Sequence, residues 1–553
     1  MNHRDADRHG TGADRHTAGS GRPALAGLDV GSTRVKAVVC TPDGTVLAAA
    51  ERRTPLGEDA TGALVTAALA ALAEAVAGAG RTVVAVGLTG MAETGVPLDA
   101  DGRPTGPLLA WSDPRGDAEA AALVRDAGAA ALHATTGVRP SAKVPLAKWC
   151  WLRAHRPEAL RNMAVWSGAV DLAARALTGT TATDVTFAQR TMAFDVHHGR
   201  WDPALAALAG LSVDRLPRVC APGEPAGRVT EDGAARVPGL RPGTPVVVAG
   251  HDHLVGAWAA GARTPGDLAD SMGTAEAVLT LTGRPPDAPR ALAEGMGYGR
   301  HADGRTWYVI AGTGSCGALV EWCADLLGLP SGGERHARFG ALLAAAGPGP
   351  TGLIVEPYLS GRSAPAPDPQ RRVAVHGLGP GDGPARLALA VVEATAYQAR
   401  WMAEAQSVLT GVAPRETVLL GGPVAQPRWP RVKAAVTPWP VRVLAEHRAP
   451  AVGAALLAAT SAGLPEPAPL GTARRTPGED ADPAGYDAVY REAFLPAVLA
   501  APPDGARPPD RTAPTPNPPA SPATDDRGGG TRRRTPDPRT ATTAHRTEHP
   551  EHP

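Results

Sequence analysis

Two distant segments of the chain share one residue pattern, and this repeat limits the folds that the sequence can adopt. LAGLDVGSTRVKAVV, residues 25–39, and DLADSMGTAEAVLTL, residues 267–281, each read as an apolar run, an aspartate, a turn of glycine with serine or threonine, and a second apolar run. This pattern predicts two β-strands joined by a tight turn. Because the copies lie about 240 residues apart, we expect two related domains that face each other, with a boundary near Gly250.

Between the ends of the chain, short Val-rich runs alternate with Ala/Leu-rich stretches of helical length, which predicts an α/β fold. Strands are expected at residues 24–29, 35–40, 45–50, 82–88, 244–249, 277–282, 306–311, 417–420 and 441–444. Helices are expected at residues 62–77, 254–261, 317–327, 384–406 and 450–462. The first domain is predicted to cover residues 24–249 and the second residues 250–500.

The two ends of the chain are predicted to be disordered tails. Residues 1–23 contain no apolar stretch, and residues 501–553 contain no Val, Ile, Leu, Met, Phe, Trp, Tyr or Cys. Segments of this composition cannot bury enough apolar surface to offset the entropy lost on ordering.

The composition excludes several classes of function. The 55 basic and 55 acidic residues balance, so the chain lacks the basic excess that binding to nucleic acid requires. Neither a signal peptide nor 18 uninterrupted apolar residues is found, so we expect a cytoplasmic protein that does not contact a membrane. Five scattered cysteines without a CxxC pair argue against a disulfide framework and a thiolate metal site. The number of chains that assemble stays open, a homodimer included.

The first copy of the repeat has the residues of a phosphate-binding turn. Gly31, Ser32 and Thr33 lie between two predicted strands, where consecutive backbone N–H groups and hydroxyls can form a concave site for phosphate oxygens. Lys36 is placed to reach a phosphate, and Asp29 is placed to hold Mg²⁺ through water.

The second copy supplies Gly273 and Thr274. Either turn alone also fits an ordinary β-hairpin, but the two together favour a phosphate-binding site. The sequence has no GxxxxGK[ST] motif and no HRD and DFG pair, which excludes a P-loop enzyme and a protein kinase.

These turns belong to a longer series of motifs that resembles the FGGY family of carbohydrate kinases from about Leu25 to Gly463. The resemblance rests on DVGSTRVK, GLTGMAETGVPLDADGRPTGPLLAWSDPR, VVVAGHDHLVGA, DSMGTAEAV, GLIVEPYLSGRSAPAPDP, LLGGPVAQPRW and PAVGAALLAA, in this order. It implies two ribonuclease-H-like domains, as in actin-like ATPases, with a cleft between them. It also implies ATP-dependent phosphorylation of a hydroxyl on a small sugar or polyol, a ketopentose such as xylulose or a related ketose or polyol.

Asp252 follows a predicted strand and precedes a predicted helix, where a carboxylate can point into the cleft. Phosphoryl transfer uses a group that orients the acceptor hydroxyl and takes its proton, and the resemblance implies this role for Asp252. Related kinases commonly have Asn or Gln at the next position, so His253 is expected to contact the sugar instead. Two alternatives remain: Asp252 caps the helix, or it forms a zinc or iron site with His251 and His253.

The segment GMAETG aligns with the acceptor-binding turn of the family. Pentulose kinases resemble Gln-Met-His at this turn and glycerol kinases resemble Gln-Arg-Glu, whereas this sequence has Met91, Ala92 and Glu93. The three residues are expected to contact the acceptor, with Glu93 accepting hydroxyls. Trp111 is expected to supply an apolar wall for sugar C–H groups.

The segment LLGGPVAQPRW resembles the loop that passes beneath the adenosine in the family. Gly421 and Gly422 permit close approach of the backbone to the nucleotide. Gln426 occupies the position where Asn or a similar residue often contacts the base.

Two rival functions remain. Gly312, Gly314 and Gly317 form a GxGxxG motif between a predicted strand and helix, as in NAD-dependent oxidoreductases, although no acidic residue ends a following strand. The other rival is a non-metabolic actin-like ATPase whose nucleotide cycle controls a protein partner, or a related protein that only senses sugar.

Overall fold

The computed structural model describes residues 22–478 and 481–500. Apart from residues 22 and 23, both predicted tails lie outside the described part of the chain.

The described residues form two large sheets, four two-stranded sheets and the helices around them. The strands are β1 (Ala24–Val30), β2 (Arg34–Cys40), β3 (Val46–Arg53), β4 (Val83–Gly90), β5 (Gly95–Leu98), β6 (Val165–Gly168), β7 (Ala182–Asp184), β8 (Phe194–Asp195), β9 (Arg200–Trp201), β10 (Arg218–Cys220), β11 (Gly227–Arg228), β12 (Pro245–His251), β13 (Asp267–Met272), β14 (Glu276–Thr282), β15 (Gly297–Arg300), β16 (Trp307–Thr313), β17 (Ile354–Glu356), β18 (Ala374–His376), β19 (Glu416–Leu420), β20 (Val441–Val443) and β21 (Ala473–Arg475).

The α-helices are α1 (Thr61–Ala79), α2 (Asp117–Ala127), α3 (Ala129–Thr136), α4 (Pro145–His155), α5 (Pro157–Arg161), α6 (Ala169–Thr178), α7 (Val185–Ala188), α8 (Pro203–Leu208), α9 (Glu231–Arg236), α10 (Asp252–Ala259), α11 (Ala288–Ala293), α12 (Gly317–Leu326), α13 (Gly333–Ala345), α14 (Pro384–Thr410), α15 (Arg428–Val436), α16 (Ala449–Leu457), α17 (Pro483–Val489) and α18 (Leu495–Leu499).

The two large sheets repeat one topology. The N-terminal sheet has the order β11-β12-β4-β1-β2-β3, in which β1, β2 and β3 are antiparallel neighbours and β4 and β12 run parallel to β1. The C-terminal sheet has the order β15-β16-β14-β13-β19-β20-β21, with β13, β14 and β16 antiparallel and β19 and β20 parallel to β13. The duplicated α/β architecture that the repeat predicted is therefore confirmed.

Each predicted strand and helix is confirmed, and most bounds agree within about four residues. The predicted helix at 450–462 is split, because α16 ends at Leu457 and a separate 3₁₀ turn covers Ala459–Ala462. The chain leaves the N-terminal sheet at His251 and enters the C-terminal sheet at Asp267. A division after residue 249 thus falls inside β12, because Gly250 and His251 still pair with β4.

One described helix, α1, is long and apolar enough to cross a membrane by length and composition alone. Its side chains Leu64, Leu69, Leu72 and Val76 lie in the hydrophobic core beneath the N-terminal sheet. The helix therefore contributes to the core of a folded domain.

Helices α10 and α16 pack between the two sheets. Leu254, Val255 and Trp258 of α10 share one hydrophobic core with α16. Gly27 and Gly87 of the N-terminal sheet let α16 approach closely, because a Cβ on either residue would lie 1.8 Å from a carbonyl oxygen of α16. This tight packing holds the strand ends that carry the candidate site.

Candidate active site

Three parallel strands of the N-terminal sheet end side by side and bring the predicted site residues together. Asp29 at the end of β1 pairs with Thr89 of β4, and Thr89 pairs with Gly250 of β12. The Thr89 hydroxyl donates to the carbonyl of Gly250 across 2.5 Å. In open α/β sheets, ligands bind outside the carboxyl ends of such strands, and Asp252 follows directly after β12.

Asp252 is the first residue of α10 and its carboxylate is held from two sides. The backbone N–H of His253 donates to Oδ1 across 2.7 Å, and His251 Nε2 lies 3.3 Å from the same oxygen. Burial raises the pKa of Asp252, the charge of His253 opposes this rise, and nearby Glu93 adds to it. A raised pKa suits a carboxylate that takes a proton during turnover.

Asp29 lies beside Asp252 and its Oδ1 atom is buried without a hydrogen-bond partner among the described residues. Burial and the charge of Asp252 raise the pKa of Asp29 to about 7, while Lys36 acts in the opposite direction. Two neighbouring carboxylates with an unsatisfied oxygen form a donor set of the kind that a hard divalent cation such as Mg²⁺ prefers. Lys36 stands opposite Asp29 on β2.

The two histidines beside Asp252 contact it differently. The backbone N–H of His251 donates to Thr186 Oγ1. Burial lowers the pKa of the His251 ring well below the usual value. The ring of His253 turns towards the C-terminal sheet, where Nδ1 lies 2.9 Å from Ser271 Oγ. Ligand atoms of His251, Asp252 and His253 all lie within 4.8 Å of one another, so the geometry keeps the alternative of a metal site open.

The acceptor turn after β4 has an inner and an outer part. Met91 and Ala92 are only 6% and 3% exposed, and together with Glu93 they line a cavity of about 30 Å³ in the N-terminal domain. Their side chains thus face the core, which leaves little surface for the predicted contact with an acceptor. Glu93 is the residue of this turn that interacts electrostatically with Asp252.

Trp111 is half-buried beside this turn, and its backbone N–H donates to Thr94 Oγ1 across 2.9 Å. The ammonium of Lys143 lies 5.2 Å from the centre of its ring. A cation over the ring face is favourable for Trp, and the apolar wall for an acceptor stays a prediction.

The two phosphate turns differ in their exposed groups. In the first turn, the N–H groups of Ser32 and Thr33 donate to no acceptor in the described part of the chain, and a Cβ on Gly31 would lie 2.8 Å from a backbone carbonyl. In the second, Gly273 N–H closes the turn on a carbonyl, while Thr274 is exposed at the tip. Phosphate binding by the two turns stays a prediction.

The glycine pair after β19 lies against the second turn. Gly421 has a φ of 104°, in the region that favours glycine. A Cβ on this residue would lie 1.9 Å from the Met272 carbonyl oxygen, so only glycine fits. Gly422 is exposed with open space around it. Gln426 differs from its predicted use, because its Oε1 accepts from the N–H groups of Arg428 and Trp429 and caps α15.

The GxGxxG motif does not form a dinucleotide fold. The strand that carries Gly312 is antiparallel to both of its neighbours, whereas the dinucleotide motif requires parallel strands joined by the helix. Gly317 instead packs on the second phosphate turn, where its N–H donates to the Gly273 carbonyl across 2.9 Å. The glycines thus serve close packing beside the cleft.

Two charged residues of the site were missed by sequence reasoning. Lys148 donates to the carbonyl of Glu93 and Arg190 pairs with its carboxylate. Lys148 carried a weak signal, because it is one of four lysines in the chain. Arg190 carried no signal in an arginine-rich sequence, since its approach to Glu93 depends on tertiary structure.

Comparison with known proteins agrees with this geometry. Residues 24–259 match the N-terminal domain of the FGGY family of carbohydrate kinases, and residues 268–462 match its C-terminal domain. The chain belongs to the FGGY family of carbohydrate kinases. It therefore adopts the two-domain, ribonuclease-H-like fold of that family and phosphorylates a hydroxyl of a sugar or polyol with ATP.

Relatives of two specificities resemble the chain. A glycerol kinase from Rhodospirillum centenum is 31% identical over 469 residues, which cover 80% of this chain and 90% of that protein. A xylulose kinase from Streptomyces rubiginosus is 32% identical over 302 residues, 54% of this chain and 58% of that protein. The crystal structure of a xylulose kinase from Rhodospirillum rubrum superimposes with a TM-score of 0.76 at 29% identity, covering 86% of this chain and 99% of that one.

Proposed function

We propose that this kinase acts in the cytoplasm on a small uncharged ketose or polyol, a ketopentose such as xylulose in the first place, and that Asp252 is its catalytic base. The observation that carries the proposal is the position of Asp252 directly after β12, at the strand end shared with Asp29 of β1, where the His253 N–H holds its carboxylate and Asp29 and Glu93 lie close enough to interact with it. A carboxylate that orients the acceptor hydroxyl and takes its proton, near a group that can hold the cation, is a recurring arrangement in phosphoryl transfer.

Glycerol is the second candidate acceptor. Glu93 stands at the third position of the acceptor turn, where the glycerol kinases of the family resemble Glu and the pentulose kinases resemble His. Ala92 lacks the guanidinium of the glycerol kinase pattern, so the turn follows neither subgroup completely.

The nucleotide is proposed to lie across the two phosphate turns, with its base near Gly421 and Gly422. Asp29 would hold Mg²⁺, which neutralises charge on the phosphates when bound. Lys36 adds a positive charge on the same side of the cleft, where it lowers the pKa of both carboxyls.

In this arrangement the chain itself orients the acceptor and moves one proton. Asp252 accepts the proton of the attacking hydroxyl at a carboxylate oxygen, and the His253 N–H and His251 hold that carboxylate in place. His253 also links the base to Ser271 on the C-terminal sheet. Because both sheets contribute to the site, bringing the domains together would exclude water and limit hydrolysis of ATP.

An acceptor screen tests the proposal. Purified protein with ATP and Mg²⁺ is assayed for ADP release against ketopentoses, deoxyketohexoses, tetritols, pentitols and glycerol, and the product is identified by ³¹P NMR. We expect at least one ketopentose or pentitol to raise ADP release well above the rate without acceptor. A rate that no acceptor raises would refute the proposal, and faster turnover with glycerol than with every ketopentose would replace the first candidate by the second.

A further inference from the structure

Glu93 is held in a backbone conformation that it would not adopt on its own. Its φ is 61°, in the left-handed region that residues with a side chain seldom occupy. Such a conformation persists only where surrounding contacts impose it, and it is often found at functional sites. The contacts around Glu93 therefore indicate what the fold requires of this residue.

One of these contacts is a buried lysine on the backbone of Glu93. Lys148, on α4, is 2% exposed, and its ammonium donates to the carbonyl of Glu93 across 2.8 Å and to that of Ala110 across 2.7 Å. Ala110 immediately precedes Trp111, whose N–H donates to Thr94 in the acceptor turn. Lys148 thus joins the acceptor turn to the Trp111 loop.

The other contact is a guanidinium on the carboxylate of Glu93. Both Nε and Nη2 of Arg190 donate to the same oxygen, Oε1, with Nε at 2.8 Å. The second oxygen, Oε2, accepts no hydrogen bond from the described residues, and the Glu93 side chain keeps 10% of its surface exposed. One carboxylate oxygen is thus engaged and the other stays available.

Arg190 is itself positioned by the C-terminal domain through its neighbour. The side-chain amide of Gln189 donates to the carbonyl of Arg300 across 3.0 Å and to the hydroxyl of Tyr308 across 3.1 Å. The N–H of Arg300 returns a hydrogen bond of 2.9 Å to Gln189 Oε1. The guanidinium that reaches Glu93 thus depends on contact between the two domains.

We propose that Lys148 and Arg190 are positioning residues that act through Glu93 and thereby select the acceptor. Lys148 fixes the backbone of the turn, and Arg190 occupies Oε1, so that only Oε2 receives a hydroxyl of the acceptor. This proposal rests on the proposed function, because it concerns the acceptor of the kinase reaction.

The arrangement selects uncharged hydroxyl compounds. Oε2 can accept a hydrogen bond from a hydroxyl but repels a second carboxylate or a phosphate placed next to it. We therefore expect an aldonate or a sugar phosphate to be phosphorylated far more slowly than the ketose or polyol of the same chain length.

A double-mutant cycle tests whether Arg190 acts through Glu93. Glu93→Gln keeps the shape of the side chain, and we expect it to raise the acceptor KM by about 10- to 100-fold, as the loss of a hydrogen bond to a charged group does. Arg190→Lys should raise the acceptor KM by about tenfold, because lysine lacks the fork of parallel donors. In both variants the KM for ATP should stay within about twofold of the wild type.

In the Glu93→Gln background, Arg190→Lys should change the acceptor KM by less than about threefold, since the partner is already lost. Lys148→Met should raise the acceptor KM and leave the KM for ATP unchanged. Arg215→Met serves as the control, because Arg215 donates to the Leu160 carbonyl in the same domain and should alter neither KM.

The outcomes separate this proposal from the function on which it rests. Multiplicative effects of the two substitutions, or a KM for ATP that rises as much as the acceptor KM, would overturn the role of Arg190 while the kinase assignment stands. Rapid phosphorylation of an aldonate by the wild-type protein would overturn the selection of uncharged acceptors. A wild-type protein without any acceptor-dependent turnover would overturn the proposed function and this proposal together.

Discussion

Replacing Asp252 by Asn should lower activity and raise stability at the same time. Asparagine keeps the size of the side chain and its place at the start of α10 but cannot take the proton of the acceptor hydroxyl. Loss of a general base costs about 10²- to 10⁴-fold in turnover, so we expect kcat to fall by at least about 100-fold. The KM for ATP should change little, because the glycine turns are untouched.

The gain in stability follows from the buried carboxyl groups. The pKa of Asp29 is about 7 instead of 3.8, which makes folding less favourable by about 4 kcal/mol at pH values above 7. Burial is the first cause and the charge of Asp252 the second, and two like charges several ångströms apart at an effective dielectric constant of about 20 repel by about 2 kcal/mol. Asp252→Asn removes that repulsion and a buried charge of its own.

The direction of the pH dependence is fixed by these raised pKa values. A carboxyl whose pKa is higher in the folded state destabilises the protein progressively as the pH rises from the unfolded value towards the folded one. The variant escapes this loss, so its advantage should be absent near pH 4 and full above pH 7. At pH 8 we expect a melting temperature about 2 to 4 °C above that of the wild type.

The assay combines acceptor-dependent ADP release with thermal unfolding at pH 5 and pH 8. Asp113→Asn is the matched control, because Asp113 accepts from the Arg115 N–H across 3.0 Å and pairs with its guanidinium. That variant should lose stability and keep turnover within about threefold. Turnover of Asp252→Asn within tenfold of the wild type, or a lower melting temperature at pH 8, would refute the reasoning.

Three further predictions concern charged residues, two of them in the site and one in the core of the C-terminal domain. Lys36→Met removes the cation that lowers the pKa of Asp29 and Asp252, so the acidic limb of the pH–rate profile should move about 0.5 to 1 pH unit higher; an unmoved limb would contradict this placement. Micromolar Zn²⁺ should bind to His251, Asp252 and His253 and inhibit in competition with the acceptor. His251→Ala should weaken this inhibition at least about tenfold, whereas equal inhibition of the wild type and the variant would show that Zn²⁺ binds elsewhere. Lys433→Met should lower the free energy of unfolding at pH 8 by about 3 to 5 kcal/mol in denaturant titrations, and by less at pH 5, because burial raises the pKa of its partner Glu276 to about 8 and leaves that carboxyl protonated there; an equal loss at both pH values would count against this explanation.

The sequence contained most of the fold because its elements are strongly patterned. Strands such as β1 and β12 are buried along nearly their whole length, so they read as continuous apolar runs bounded by turn residues. The bounds of α16 were less accurate, because Ala-rich sequence continues past Leu457 into a 3₁₀ turn and nothing in the composition marks the change.

The site was predictable where backbone shape dictates residue type. Gly31 and Gly421 face carbonyl groups at distances that exclude any Cβ, so glycine is imposed there and is visible in the sequence. Gln426 was not predictable in the same way, since a single side chain near a helix start can cap that helix or contact a ligand. The pairing of Arg190 with Glu93 joins residues 97 positions apart, and no local pattern encodes it.

In the two copies of the repeat, the aspartate lies at a different distance from the glycine of the turn, and this difference decides which face of the strand carries the aspartate. Asp29 lies two residues before its glycine, whereas Asp270 lies three before Gly273 and Ser271 takes the equivalent place. Since successive side chains of a strand point to opposite faces, Asp29 and Ser271 face the cleft, where they meet Asp252 and His253 respectively.

Asp270 consequently faces the core of the C-terminal domain, where a carboxylate is costly unless it is paired. Lys433 meets that requirement, with its ammonium 2.7 Å from Asp270 and also bonded to Glu276. Burial and the charge of Asp270 raise the pKa of Glu276 to about 8, while the charge of Lys433 acts in the opposite direction. One hairpin thus presents its aspartate to the cleft beside Asp252, while the other pairs its aspartate with Lys433 in the core and leaves Ser271 beside His253.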